Sequence, residues 1–189
     1  MMRPAVFLDR DGTLIEEAGY LDRLERIVFF PYSVDAVRLL NRANLAVVIV
    51  TNQAGVARGI FPESFVAEAH AHVRDRLDAG GARIDAFYYC PHHPDGSVEA
   101  YRRSCECRKP GDAMLRRAAA ELELDLARSV VVGDRWHDIE AGKRAGTKAL
   151  LVRTGYGRTE EQRPKAGLAA DAVVDNLIEG VSWILREGW

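Results

Sequence analysis

Long apolar runs and an excess of basic residues are both missing from this chain of 189 residues. No apolar run approaches the roughly eighteen residues that a membrane-spanning helix needs. Lysine and arginine total 26 against 28 aspartates and glutamates, so the net charge is −2. Because surfaces that bind nucleic acid are usually basic, these absences argue against a membrane protein and against a nucleic-acid-binding protein.

Internal repeats and low-complexity linkers are also missing. Met1 leads directly into an apolar run without the pattern of a signal peptide, so we expect a cytoplasmic protein. The length predicts one domain over residues 1–189 with a sizeable core. We expect a monomer, in which Trp183 and Trp189 pack on the core rather than contact another chain.

Cysteine is scarce, and its three occurrences all fall within the segment 90–107. Thiols stay reduced in the cytoplasm, and an odd count does not suit a disulfide framework. Three thiolates and one imidazole make the donor set of a closed, structural zinc site: Cys90, His92, Cys105 and Cys107. His93 is an alternative, but the spacing of His92 from Cys90 matches that of the other two cysteines. The pattern predicts a zinc-clipped loop, with unrelated reduced thiols as the competing interpretation.

Short, continuous apolar runs alternate with helical patterns along the chain. Six runs predict strands that are buried on both faces: Ala5–Leu8, Ala46–Val50, Ala86–Tyr89, Val130–Val132, Lys148–Val152 and Ala172–Val174. Helical patterns start near Ser33, Pro62, Asp112, His137 and Leu177, with Ser33 and Asp112 as candidate N-caps. Such alternation predicts an α/β fold, a three-layer Rossmann-like parallel sheet with helices on both faces. Ligands of such sheets bind at the carboxyl ends of the strands.

Two carboxylates end the first predicted strand, in Phe7-Leu8-Asp9-Arg10-Asp11-Gly12-Thr13-Leu14. Asp9 and Asp11 are like charges that are costly to hold together without a cation. Mg²⁺ prefers oxygen ligands and would compensate both, so the motif predicts phosphate chemistry around a metal ion. A plain turn is one alternative. A calcium loop is another, but its twelfth position would be Tyr20, which cannot bind the ion.

Three further segments complete a set of ordered motifs. Thr51 ends the second strand, Lys109 lies in Cys107-Arg108-Lys109-Pro110, and Gly133-Asp134-Arg135-Trp136-His137-Asp138 follows the fourth strand. With the Asp9–Thr13 motif, they resemble in order and spacing the motifs of the haloacid dehalogenase-like phosphatases. The match covers most of the chain, and four ordered motifs are far more specific than one. In this family, Asp138 would be a supporting residue that orients Lys109 or metal-bound water.

The resemblance implies a mechanism as well as a fold. Asp9 would attack phosphorus and form an aspartyl-phosphate, and Asp11 would act as the acid and base. Thr51 and Lys109 would bind the phosphate oxygens. Mg²⁺ would be held by Asp9, the backbone carbonyl of Asp11, and Asp134.

The segment between the first motif and the first helix is too short for a large cap domain, so loops must form the substrate entrance. Within the family, two groups resemble this chain in having a zinc-clipped loop and no large cap domain. One hydrolyses the 7-phosphate of D-glycero-D-manno-heptose 1,7-bisphosphate, and the other hydrolyses histidinol phosphate. The second group has a shorter loop between the zinc-ligand pairs, which favours the first.

By this resemblance, five residues would contact the substrate: Gly19, Tyr20, Asn52, Arg108 and Arg135. Arg108 suits a second phosphate because a guanidinium bonds phosphate oxygens in pairs. Arg135 stands where the family often has lysine. The three remaining helix histidines, His70, His72 and His137, are expected at surface or packing positions.

The resemblance therefore implies a Mg²⁺-dependent sugar bisphosphate phosphatase of nucleotide-heptose biosynthesis, with a structural Zn²⁺ ion. A histidinol-phosphate phosphatase is the alternative enzyme. A non-catalytic phosphate-binding module is a third hypothesis, which the intact pair of Asp9 and Asp11 argues against.

Overall fold

The computed structural model describes residues 2–187, and a six-stranded parallel sheet runs through it. Its strands are β1 (Ala5–Leu8), β2 (Ala46–Asn52), β3 (Ala86–Cys90), β4 (Val130–Gly133), β5 (Lys148–Val152) and β6 (Ala172–Val174). Their order across the sheet is β3-β2-β1-β4-β5-β6, and every neighbouring pair is parallel. The central strands β1, β2 and β4 are almost entirely buried, as their continuous apolar sequences predict.

Helices cover both faces of this sheet. They are α1 (Ser33–Arg42), α2 (Ala54–Ala57), α3 (Glu63–Ala79), α4 (Ala113–Leu122), α5 (Trp136–Ala145), α6 (Gly157–Glu161) and α7 (Leu177–Glu187). On one face, α1, α3 and α7 bury Leu40, Val73 and Ile184 in one apolar core. On the other face, α4 and α5 bury Leu115 and Ala141 in a second core. The predicted three-layer α/β architecture is confirmed.

The predicted cap at Ser33 is wrong, whereas Asp112 occupies the predicted N-cap position of α4 but its side chain does not bond a helix N–H. Ser33 is the first residue of α1, and its hydroxyl donates to the Leu14 carbonyl at 2.6 Å. Asp112 precedes α4, but its carboxylate accepts from Arg116 Nε at 2.7 Å rather than from a helix N–H. In both cases the side chain forms a hydrogen bond with a group other than the free N–H groups of the first helical turn. α5 ends at Ala145, and Gly146 follows it in the left-handed conformation that glycine adopts most readily.

No helix within residues 2–187 is long and apolar enough to cross a membrane. Trp183 on α7 is half-buried against the core, as predicted, with Lys148 Nζ 5.3 Å from its ring centroid. Trp189 lies outside the described residues. The single domain and the monomeric state stay predictions.

The topology brings the ends of β1, β2 and β4 side by side. β1 lies between the other two strands, and the Asp9 N–H donates to the Val132 carbonyl at 2.9 Å. Between β1 and α1 the described chain forms one 3₁₀ turn at Leu24–Arg26 and isolated β-bridges at Ile15, so no large cap domain is inserted there. The carboxyl edge of the sheet is therefore open to a ligand.

Candidate active site

Lys109 is the buried centre of the site, with only 2% of its surface exposed. Its Nζ donates to Asp9 Oδ1 at 2.8 Å and to the Val50 carbonyl at 2.7 Å, and it lies 2.6 Å from Asp138 Oδ1. Burial lowers the pKa of Lys109, but the carboxylates of Asp138 and Asp9 more than offset this and hold it above its ordinary value. The ammonium therefore stays charged, and Asp138 lies where its predicted orienting role requires.

Asn52, at the end of β2, holds the main chain of Lys109. Its Nδ2 donates to the Lys109 carbonyl at 3.1 Å, and its Oδ1 accepts from the Lys109 N–H at 3.0 Å. The sequence predicted only a substrate contact for Asn52. The structure adds a positioning contact, which fixes the chain that carries the buried ammonium.

A second set of hydrogen bonds fixes the carboxylate of Asp11. Arg10 Nε and Gln53 Nε2 donate to Asp11 Oδ2 at 3.1 and 3.0 Å. Gln53 also donates to Thr51 Oγ1 at 2.8 Å, which leaves the hydroxyl hydrogen of Thr51 for another acceptor. Sequence reasoning missed both Arg10 and Gln53. In the sequence, the available signal for Arg10 was its place between two aspartates. In the structure Arg10 is only 1% exposed, and a buried arginine is rare unless it is paired.

Asp9, Asp134 and Asp138 form an acidic cluster, in which one carboxylate oxygen of each lies within 4.8 Å of the others. Burial, opposed by Lys109, raises the pKa of Asp9 to about 6. Burial and the neighbouring carboxylates of Asp9 and Asp138 raise the pKa of Asp134 to about 9. A divalent cation would relieve this repulsion, and hard oxygen donors suit Mg²⁺. The residues present therefore fit the metal.

The two oxygens of Asp138 already have partners in the chain. Oδ1 lies 2.6 Å from Lys109 Nζ, and Oδ2 accepts from the Arg135 N–H at 3.1 Å. Asp134 Oδ2 accepts from the Tyr156 N–H at 2.8 Å, which holds this carboxylate beside Asp9. Asp9 and Asp134 are therefore the better metal-ligand candidates, and Asp138 is better suited to support.

Gly155 lies directly against Asp134. A Cβ at Gly155, which has φ +54°, would lie 2.1 Å from Asp134 Oδ2 and 2.7 Å from the Cα of Gly12. We expect Gly155→Ala to displace the carboxylate and to raise the Mg²⁺ concentration for half-maximal activity by about 10- to 100-fold, the usual effect of disturbing a metal ligand's support. Gly146→Ala is the matched control, because Gly146 has φ +86° but no atom within 4 Å of that Cβ position. Equal Mg²⁺ requirements in the two variants would contradict this role.

A cleft of about 320 Å³ opens over the carboxylates, and Asp9, Asp11 and Thr51 line it. All five predicted substrate contacts also line it: Gly19, Tyr20, Asn52, Arg108 and Arg135. His137 is a further lining residue, although the sequence predicted a surface or packing position. Burial lowers the pKa of His137 to about 3, so the imidazole is neutral near pH 7. The available signal was its place in the first turn of α5, which begins where β4 ends at the site.

Cys90, Cys105 and Cys107 converge beside the end of β3 as free thiols, with Sγ atoms 3.1–3.4 Å apart. His92 Nδ1 lies 3.4 Å from Cys107 Sγ and 3.7 Å from Cys90 Sγ. The neighbouring His93 has a different partner, since its Nδ1 accepts from the Asp95 N–H at 3.1 Å. The cluster is compatible with a zinc site, and its geometry favours His92 over His93 as the fourth donor.

Comparisons with known proteins define the class. A family model described as HAD-hydrolase-like matches residues 106–180, which include Lys109, Asp134 and Asp138. A crystal structure from B. bronchiseptica superposes with a TM-score of 0.87, is 32% identical, and covers 98% of this chain and 99% of that chain. The chain therefore belongs to the haloacid dehalogenase-like hydrolases, and the predicted resemblance is confirmed.

The similar proteins carry closely related names. The B. bronchiseptica structure is a D,D-heptose 1,7-bisphosphate phosphatase complexed with magnesium and phosphate. A D-glycero-β-D-manno-heptose-1,7-bisphosphate 7-phosphatase of Yersinia pestis is 43% identical over 178 residues, 93% of this chain and 92% of that protein. The enzyme of the same name from Rhodopseudomonas palustris is 46% identical over 144 residues, 76% of this chain and 80% of that protein. The expectation that the chain is a phosphatase is confirmed.

Proposed function

We propose that this protein is a Mg²⁺-dependent phosphatase that removes the 7-phosphate of D-glycero-β-D-manno-heptose 1,7-bisphosphate, a step of nucleotide-heptose biosynthesis. The observation that carries the chemistry is the 2.8 Å contact between Lys109 Nζ and Asp9 Oδ1 at the base of the cleft. It fixes a cation beside the proposed nucleophile, and phosphoryl transfer depends on such positioning and charge compensation. The names of the similar proteins support the choice of substrate.

Asp9 supplies the nucleophile in this proposal. One of its carboxylate oxygens attacks phosphorus, the bond from phosphorus to the sugar oxygen breaks, and an aspartyl-phosphate forms. Asp11 gives a proton to the departing sugar oxygen. It then takes a proton from the water that attacks the aspartyl-phosphate, which releases phosphate and regenerates Asp9. Lys109 places its positive charge beside the phosphoryl oxygens, and the hydroxyl of Thr51 donates a hydrogen bond to one of them.

Asp9, the backbone carbonyl of Asp11, and Asp134 would hold Mg²⁺, which supplies charge compensation for the phosphoryl group when bound. The Tyr156 N–H keeps Asp134 in place, and Lys109 does the same for Asp9. The two carboxylates are therefore pre-positioned, although burial and neighbouring carboxylates raise the pKa of each.

Arg108 and Arg135 supply positive charge for a second phosphate. Both line the cleft that leads to Asp9, and a guanidinium can bond two phosphate oxygens at once. A heptose bisphosphate brings a second anionic group to these arginines. Histidinol phosphate brings an amine instead, which they would repel in its protonated form.

The function is tested by measuring phosphate release from heptose 1,7-bisphosphate and from histidinol phosphate under the same conditions. We expect faster turnover of the bisphosphate, with the 7-phosphate released first. Faster turnover of histidinol phosphate would reverse the substrate assignment. Absence of turnover on any phosphomonoester, with Mg²⁺ present, would favour the phosphate-binding module.

The cluster of Cys90, His92, Cys105 and Cys107 is proposed to hold one structural Zn²⁺ ion, since four protein donors leave no open position for catalysis. Metal analysis of the purified protein should find about one zinc per chain by this closed-site argument. His92→Ala should lose most of that zinc, because it removes a donor. The adjacent His93→Ala is the matched control and should retain it. Loss of zinc in the control alone would exchange the two assignments, and a zinc-free wild type would exclude the site.

A further inference from the structure

The turn between β5 and α6 is an unpredicted part of the site. Thr154 Oγ1 donates to the Gly12 carbonyl at 2.6 Å, and the Gly157 N–H donates to the Thr154 carbonyl at 2.9 Å. A Cβ at Gly157 would lie 1.7 Å from the Val152 carbonyl oxygen. Only glycine therefore fits at position 157. The hydrogen bond from Thr154 to Gly12 holds this turn against the Asp9–Thr13 motif.

Tyr156 makes two different contacts from this turn. Its main-chain N–H donates to Asp134 Oδ2 at 2.8 Å, while its ring packs against the guanidinium of Arg135, whose Cζ lies 3.5 Å from the ring centroid. Both side chains line the cleft. The ring thus lies against one of the two arginines assigned to the second phosphate.

We propose that Tyr156 is a positioning residue for Arg135, fixing its guanidinium in the cleft so that it binds the second phosphate of the substrate. This inference rests on the proposed function, because it assumes a bisphosphate.

The physical reason is pre-organisation. A free arginine side chain loses rotamer freedom when it binds an anion, and a side chain that is already stacked loses less. A guanidinium stacked on a ring keeps its N–H edges available for phosphate oxygens, because those groups lie in its own plane. A lysine ammonium has no such plane, so a ring at Tyr156 suits an arginine at position 135 better than it would suit a lysine.

The test compares the wild type with Tyr156→Leu and Tyr156→Phe on heptose 1,7-bisphosphate and on the heptose 7-phosphate, which lacks the second phosphate. We expect Tyr156→Leu to raise KM for the bisphosphate by roughly 3- to 30-fold, the range for a cation–π contact, with little change in kcat. KM for the monophosphate should hardly change. Tyr156→Phe keeps the ring and should restore the wild-type KM.

A distorted turn is distinguished from lost stacking by the Mg²⁺ requirement. The contact with Asp134 comes from the main chain, so Tyr156→Leu should keep the wild-type Mg²⁺ concentration for half-maximal activity. Binding of the bisphosphate to Asp9→Asn protein, measured by calorimetry with and without Tyr156→Leu, should weaken by the same factor as KM rises. In an Arg135→Lys background the effect of Tyr156→Leu should shrink, since the two residues act as a pair.

An unchanged KM for the bisphosphate in Tyr156→Leu would overturn the inference. So would an equal loss on both substrates, or a raised Mg²⁺ requirement that accompanies the rise in KM. If the wild type itself shows no preference for the bisphosphate over the monophosphate, the proposed substrate fails. If the wild type has that preference and Tyr156→Leu retains it, only the role of Tyr156 fails.

Discussion

Asp9→Asn is expected to lower the turnover of heptose 1,7-bisphosphate by on the order of 10⁴-fold or more, the scale seen when a hydrolase loses its nucleophile. The amide has the size and shape of the carboxylate but cannot attack phosphorus and leave a stable acyl phosphate. The folded protein should survive the change, because one of three crowded, buried carboxylates becomes neutral. Phosphate release measures the loss of activity, and thermal unfolding measures the stability.

A labelling experiment tests the chemical role of Asp9 directly. Wild-type protein quenched in acid during turnover of radiolabelled substrate should carry label, and Asp9→Asn should carry none. Asp35→Asn is the control, since Asp35 pairs with Arg38 on the exposed side of α1, away from the cleft. Turnover by Asp9→Asn at the wild-type rate would remove Asp9 from the mechanism.

Lys109→Met is expected to have the second-largest effect, on activity and stability together. Activity should fall by about 10³-fold, since a preorganised cation at the phosphoryl oxygens is lost. Unfolding free energy at pH 7 without Mg²⁺ should fall by about 3–5 kcal/mol, the usual result of leaving a buried charge unpaired. The reason is that Asp9 and Asp138 both lose the ammonium that lies within 2.8 Å of them.

Two further variants separate the loss of charge from general damage. Lys109→Met/Asp138→Asn should regain part of the stability, because one of the unpaired carboxylates is gone, while its activity stays low. Lys143→Met removes an exposed ion pair with Asp171 and should cost less than about 1 kcal/mol. Urea unfolding of the four proteins provides the comparison. Equal stability of Lys109→Met and Lys143→Met would contradict the buried role of Lys109.

The strands could be predicted because a parallel sheet buried on both faces demands continuous apolar runs. The expected burial on both faces is wrong for the edge strands β3 and β6, which are only partly buried. Asp9, Thr51 and Asp134 follow three such runs directly, and the parallel topology brings them to one edge. Lys109 follows no strand. It was found through the resemblance alone, and only the structure shows that Asn52 and Asp138 hold it there.

The missed residues share one physical cause: their roles depend on where a side chain or a turn lies in three dimensions. Gln53 bridges Asp11 and Thr51 through a single amide nitrogen, which no spacing in the sequence reveals. Tyr156 lies beyond β5, and none of the four motifs lies at the end of that strand. Because β5 pairs with β4, the turn after β5 returns to Asp134.

The caps of α1 and α4 show the limit of local rules. Ser33 and Asp112 have the side chains that cap helices, and a local pattern assigns them to the nearest free N–H groups. Each instead bonds a group that the fold brings close, the Leu14 carbonyl and the Arg116 guanidinium. The helices still form where the apolar periodicity placed them, since packing on the sheet outweighs a single cap.

The strand order has a consequence for the folding of this enzyme during its synthesis on the ribosome. β1 is made first yet lies at the centre of the sheet, with β2 on one side and β4 on the other. A growing chain therefore carries Asp9, Thr51 and Lys109 well before Asp134 is added, so the groups that handle phosphate precede the second metal carboxylate. A chain that stops short of β4 would leave one edge of β1 unpaired and the metal site half built. Catalytic turnover therefore requires that the strands on both sides of β1, including β2 and β4, have formed.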